Sequence, residues 1–248
     1  MDAASTTDQP ARTRRRGLLE ALRLSLRRRF LGRGKPKAAA EWDRQYRMGR
    51  WEYLEGEWEL PRLAVLAAVV NRFATSGHGI LDLGCGTGAL ARSVCTKSRP
   101  LYLGIDISEE AIRKARETAP PNARFWIGDA EQGLPGEVHA RAPFGAIVFG
   151  EVLYYLDDPL RVVTAYEALL RSDGVLVYSV WDPKRNRNLL RRLLEGSQLL
   201  CDVEVRCGAA RPWRIMAHHP RFGGLSRDAV RPSKSPWRRW LGGSECCG

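Results

Sequence analysis

Long apolar runs are missing from this 248-residue chain. No stretch approaches the ~18 consecutive apolar residues that mark a membrane-spanning helix. The first ten residues are polar and no apolar leader core follows them, so a secretory signal is not expected. Zinc-type CxxC spacing is absent among Cys85, Cys95, Cys201, Cys207, Cys246 and Cys247. No C-a-a-X ending accompanies the Cys246-Cys247 pair, which leaves a plain tail as the expectation. Reduced thiols in a cytoplasmic protein are the reading of this cysteine usage. Internal repeats are also lacking. Acidic residues are scarce at both ends: residues 1–40 carry a net +8, residues 211–248 a net +6, and residues 41–210 a net −2, against +12 for the chain. The basicity therefore belongs to the ends. A nucleic-acid partner for the central part is not expected, and the charge speaks to what the tails touch.

What is present is enough for one α/β domain with tails. Residues 1–39 form a basic arm, residues 40–222 the domain with an N-terminal cap, and residues 223–248 a loose basic tail. The first sixteen residues have the composition of a disordered segment. Leu19, Leu22, Leu26 and Phe30 then make one apolar stripe of a helix over 17–31, with Arg23, Arg27, Arg28 and Arg29 on its other faces. Such a helix suits an anionic membrane surface, or packs on the domain, or stays a flexible arm. Gly32–Pro36 reads as a linker.

The cap holds Trp42, Tyr46, Trp51, Tyr53 and Trp58. A buried helix follows over 59–73, with Pro61 in its first turn. From residue 79 strands and helices alternate. Strands are predicted at 79–83, 101–105, 123–127, 144–149 and 174–180. Helices are predicted at 88–97, 108–117 capped by Ser108, 158–171 and around 188–200. Runs 202–206 and 213–217 are too close for a parallel crossover and should form an antiparallel hairpin. Alternation at this spacing predicts a doubly covered, mostly parallel sheet.

Strand one ends in Asp82 and enters Gly84-Cys85-Gly86-Thr87-Gly88 before a helix. Glycines let a chain turn tightly and let a ligand approach without a Cβ in the way. In an open α/β sheet, ligands bind beyond the carboxyl ends of the strands. The loop alone is ambiguous, because Gly84, Gly86 and Ala89 also satisfy a dinucleotide fingerprint. An NAD-dependent oxidoreductase thus stands as an alternative.

Residues 80–91, ILDLGCGTGALA, resemble the first motif of class I S-adenosylmethionine-dependent methyltransferases. Gly104–Ser108 resembles their second motif, Gly128–Glu131 the segment after strand three, and Phe144–Tyr155 and Leu169–Tyr178 the later motifs. The resemblance implies a seven-stranded, mostly parallel Rossmann-like sheet with an antiparallel last strand, helices on both faces and S-adenosylmethionine as cofactor. It implies Asp82, Gly84, Cys85, Gly86 and Gly88 in the cofactor loop, Asp106 on the ribose with Ile107 beside it, and Asp129 and Ala130 on the adenine. The stretch from Trp42 to Arg62 resembles the cap of bacterial small-molecule methyltransferases. There Arg62 is expected to take the methionine carboxylate as a fork, and Tyr46 and Trp51 to line the cofactor, or else simply to pack helices on the sheet.

No Asn/Asp-Pro-Pro-Tyr follows strand four, which argues against amino-nitrogen enzymes acting on bases or glutamine. No cysteine nucleophile stands where cytosine-type enzymes carry one, and no carboxylate set that would hold a metal stands out. Glu151 is the first candidate for base, substrate orientation and cofactor contact. Tyr154 is expected to wall the pocket beside Tyr155, and His218 or His219 to reach the same rim. The acceptor is expected to be small and polar, a natural product or saccharide, with methylation on O or N. A lipid-linked acceptor would make sense of the basic helix. RNA or protein methylation by way of the basic tails, and a catalytically silent scaffold, remain alternatives.

Overall fold

The computed structural model describes residues 38–75, 77–94, 101–208 and 211–220. The predicted helix over 17–31, its flanks, the end of the helix predicted over 88–97 and the tail over 223–248 lie outside these residues.

The short apolar runs of the central chain become strands because each is buried on both faces. β1 (Ile80–Leu83), β2 (Tyr102–Asp106) and β4 (Phe144–Gly150) are buried along nearly their whole lengths. Continuous burial is what parallel strands covered by helices require. With β3 (Ala123–Ile127), β5 (Leu170–Trp181), β6 (Gln198–Val205) and β7 (Trp213–His219) they form one sheet of order β3-β2-β1-β4-β5-β7-β6. β1 to β5 pair in parallel; β7 runs antiparallel to both β5 and β6. This is the expected seven-stranded, Rossmann-like architecture, with the reversed hairpin at one edge.

Two apolar layers flank the sheet. On one face, α2 (Leu60–Phe73), α3 (Ala89–Val94) and α4 (Glu109–Glu117) bring Leu66, Val70, Leu90, Val94 and Ile112 against the strands. On the other, the short α5 (Gly136–His139), α6 (Pro159–Glu167) and α7 (Arg187–Leu194) contribute Val138, Val162, Tyr166, Leu190 and Leu193. Ahead of these stand α1 (Ala39–Arg47) and a 3-10 turn over Glu52–Glu55.

Two predicted helices end early. α6 stops at Glu167 rather than at residue 171, because Leu170 is already paired with Phe144 and the Phe144 N–H donates to Leu169 O at 2.8 Å. α7 stops at Leu194 rather than near residue 200. Its last carbonyl accepts from Ser197 N and Oγ at 3.1 and 2.8 Å, and β6 starts at Gln198. In both places the sheet claims residues whose local pattern also suits a helix.

Candidate active site

The carboxyl ends of β1, β2, β4 and β5 open into a cavity of about 460 Å³, a size that suits a small-molecule ligand. The glycine loop forms its floor. Gly84 N and Cys85 N donate to Ile105 O at 2.8 and 3.0 Å, which ties the loop to β2. Gly86 has φ +55, and a Cβ there would lie 3.0 Å from the Tyr46 hydroxyl. A side chain at 84 would lie 2.7 Å from Val152. The two glycines thus admit the cap from one side and the loop after β4 from the other.

Asp106, at the end of β2, joins three elements. Its Oδ2 accepts from Gly86 N at 2.9 Å and its Oδ1 from Ser108 N at 2.9 Å. Ser108 caps α4 as predicted, accepting from Ala111 N. Its own hydroxyl donates to Asp43 Oδ1 at 2.6 Å, and Asp43 also accepts from Glu110 N at 3.2 Å. Asp43 of α1 therefore acts as a second cap of α4 from 65 residues away. Lys114 Nζ donates to Tyr46 O at 3.1 Å. Glu55 accepts from the Thr87 hydroxyl and pairs with Arg92 at 3.0 Å. The cap is thus fastened to the cofactor loop and to α4.

Under these fastenings Trp42, Tyr46, Trp51 and Tyr155 pack over the cavity. Trp42 meets Tyr155 edge-on at 4.9 Å and Trp51 at 5.5 Å. Trp51 meets Tyr155 edge-on at 6.4 Å and Tyr46 at 6.3 Å. These aromatics pack the cap on one another and line the cavity. The buried indole N–H of Trp51 has no hydrogen-bond acceptor among the described residues.

Burial tunes the acids below. Asp82 is pushed up to about 7 by burial, against the opposing pull of the Tyr102 hydroxyl that donates to it and of the Arg62 charge. Asp106 is pushed up to about 6 by burial, with Ser108 and Gly86 N–H groups opposing. Burial also drives the Tyr46 phenol and the Cys85 thiol well above their ordinary values, so Cys85 is an inert wall. Arg62 is buried with Glu59, whose carboxylate accepts from its Nε at 2.7 Å. Glu59 is its one polar partner among the described residues, and Arg62 lines the cavity.

At the far wall, Glu151 takes φ +62, a left-handed backbone that non-glycine residues rarely adopt. Its carboxylate accepts from the Ser179 and Tyr154 hydroxyls, each at 2.8 Å. Asp129 uses both oxygens within its own turn, on Glu131 N at 2.9 Å and Gln132 Nε2 at 3.1 Å.

Comparison with known proteins now bears on this geometry. A family model described as "Methyltransferase domain" matches residues 74–220. The chain belongs to that family. The methyltransferase is 33% identical over 110 residues to the malonyl-[acyl-carrier protein] O-methyltransferase of Halalkalibacterium halodurans, covering 43% of this chain and 40% of the relative. It is 27% identical over 128 residues to the ubiquinone biosynthesis O-methyltransferase of Neisseria meningitidis, covering 50% and 52%. The chain thus spans about half the length of the curated relatives it matches. The fold is similar to that of the N-methyltransferase NodS from Bradyrhizobium japonicum in complex with S-adenosylhomocysteine, with TM-score 0.57 and 20% identity over 68% of this chain and 90% of that one. It is also similar to magnesium protoporphyrin IX methyltransferase from Synechocystis with bound S-adenosylmethionine, with TM-score 0.51 and 18% identity over 65% and 81%. The methyltransferase reading of the sequence is borne out by the family match, and its class I fold by the solved structures.

In this methyltransferase the cavity gathers Tyr46, Trp51, Arg62, Asp82, Gly84, Cys85, Gly86, Asp106, Ile107, Asp129, Ala130, Glu151 and Tyr154. Three predicted residues, Gly88, His218 and His219, are not there. Gly88 faces the packing between α3 and the sheet: a Cβ would lie 2.8 Å from Phe125. His218 is fully buried, with Nε2 2.9 Å from the Tyr178 hydroxyl and Nδ1 3.0 Å from His219 O. The reason is direction. β7 is antiparallel, so its carboxyl end lies at the opposite end of the strands from the cavity. His219 sits there too, 2.9 Å from Gly174 O. Sequence reasoning missed Asp43, Glu55, Tyr102 and Ser179, all of which act across long separations that no local pattern signals.

Proposed function

We propose that this methyltransferase transfers a methyl group from S-adenosylmethionine to an oxygen or nitrogen of a small polar acceptor. A single observation carries the reading. Glu151, held in a left-handed backbone and oriented by Ser179 and Tyr154, shares one cavity with Asp106 and the glycine loop. The residues fit the cofactor: a donor-only indole is buried without an acceptor among the described residues, a Cβ at Gly86 would crowd the Tyr46 hydroxyl, and a buried arginine lines the same cavity.

When bound, S-adenosylmethionine supplies a methyl group already activated on a sulfonium. Asp106 is suited to accept from ribose hydroxyls, the Asp129-Ala130 turn to meet the adenine edge, and Ile107 to pack beside it. The terminal nitrogens of Arg62 suit a carboxylate fork. Tyr46 and Trp51 offer ring faces to positive charge. Orientation supplies much of the rate, on the order of 7–11 kcal/mol. Glu151 accepts the acceptor's proton as methylation proceeds, and Tyr154 and Tyr155 wall the acceptor. The named activity of both quoted curated relatives favours oxygen. The acceptor class is a natural product or saccharide, carried on a lipid, with residues 17–31 in peripheral contact with the membrane.

Thermal shift with S-adenosylhomocysteine and with NAD tests the cofactor: stabilisation by the former alone is expected. Radiolabelled methyl transfer to a fractionated cell extract tests the acceptor. Label should enter a small-molecule or lipid fraction and be lost in Asp106→Ala. Label confined to RNA or protein, or stabilisation by NAD alone, would sink the reading.

A further inference from the structure

Arg44, Arg92, Arg113, Arg161, Arg206 and Arg214 each pair with a carboxylate. The segment after β5 gathers cations that do not. Lys184, Arg185, Arg187 and Arg191 are all exposed, and none forms an ion pair among the described residues. Exposed cations usually acquire partners of opposite sign on a surface of mixed charge, so four unpaired ones within eight positions are a local field.

Its place in the fold gives it meaning. Trp181 lines the cavity, and the basic segment begins three residues later. α7 buries Leu190 and Leu193 in the core and turns Arg187 and Arg191, one helical turn apart, outward. Ala38 also lines the cavity, and residues 1–37, which carry a net +8, precede it in the sequence. The cavity itself is not basic: Asp82, Asp106, Asp129, Glu131, Glu151 and Asp157 line it, and among the described residues Arg62 is its one cation. The outer cations thus do not serve a small anion inside the site.

We infer that Lys184, Arg185, Arg187 and Arg191 form a docking surface that seats the cavity opening on a membrane rich in anionic phospholipid. Stable protein interfaces centre on a packed, apolar-rich core inside a polar rim. No large apolar side chain of residues 182–192 is exposed to supply one. A charged bilayer needs only clustered cations, each adding attraction near the surface. The stripe of Leu19, Leu22, Leu26 and Phe30 among arginines has the composition of a membrane-surface segment and belongs to the arm that joins at Ala38. The inference deepens the lipid-carried reading of the acceptor given above and rests on it only for what is methylated.

The test is sedimentation of the full chain with phosphatidylcholine vesicles and with vesicles containing phosphatidylglycerol. Wild type is compared with a Lys184→Glu, Arg185→Glu, Arg187→Glu, Arg191→Glu variant and with the matching Gln set. Wild type is expected to partition only onto the anionic vesicles, less so as salt rises. The Glu set should lower partition at least about tenfold and the Gln set by a smaller factor. Melting temperature and S-adenosylhomocysteine affinity should stay those of wild type. Partition that is unchanged in both variants overturns the inference, and so does equal binding to neutral vesicles. No binding of wild type to either vesicle overturns it as well and turns attention to an acidic protein. Loss of S-adenosylhomocysteine binding in wild type would sink the cofactor reading instead, while the vesicle result would still judge the surface.

Discussion

At the scale of single residues, Glu151 and Tyr102 hold the chemistry in place by opposite means. Glu151 is oriented by hydroxyls on its carboxylate and by a strained backbone. Glu151→Gln keeps the shape and one acceptor but removes the basicity. It should lower kcat by about 10²- to 10⁴-fold with a far smaller change in S-adenosylhomocysteine affinity. A kcat equal to wild type would exclude the base role. Tyr102 is fully buried and donates to Asp82, which is also faced by Asp106, Arg62 and Cys85. Asp82 stands at about 7 and Asp106 at about 6, both raised by burial. A cationic ligand binds the ionised forms better, so cofactor affinity should rise with pH through those values, with proton release. Tyr102→Phe removes a bond to the charged form, which raises Asp82 further and moves the affinity rise to higher pH. Calorimetric titration across pH checks both. A pH-independent affinity in wild type, or the same profile in Tyr102→Phe, would refute them.

At the scale of elements, the cap is decided by Asp43 and Glu55. α1 carries charged side chains on its outer face and would be marginal alone at nine residues. It persists because Asp43 caps α4 jointly with Ser108, and because aromatic packing seals its other face. Asp43→Ala should cost about 1 kcal/mol of stability. It should also weaken S-adenosylhomocysteine binding, since Tyr46 rides on the same helix above Gly86. Chemical denaturation and titration give the two numbers. A stability loss without a change in affinity would mean that the cap packs the fold without gating the cofactor. The resemblance of the stretch from Trp42 to Arg62 to the cap of small-molecule methyltransferases implied a cap. Its attachment was not legible, because the partners sit on α3, α4 and the glycine loop, far along the chain.

At the scale of the whole molecule, the site is built at a cost that a ligand relieves. Asp82 and Asp106 bind protons more tightly when folded, so the ligand-free protein loses stability as pH rises from their ordinary range near 4 through about 6 and 7. The cofactor's positive charge should offset this, and ligand stabilisation should therefore be larger at about pH 8 than at about pH 5. A thermal shift of equal size at both would count against the assignment of these acids to the cofactor.

The sequence by itself determined the strands that surround the glycine loop, the reversed hairpin and the residues at the carboxyl ends of β1, β2 and β4. These follow from local period and from loops whose shape is set within a few residues. Helix ends at 167 and 194, the exclusion of Gly88 and His218 from the cavity and the fastening of the cap were decided by tertiary structure. His218 shows the reason most plainly. Its place just after the predicted last strand suggested the rim, but strand direction, fixed only by pairing with β5, carried it to the opposite end of the strands from the glycine loop.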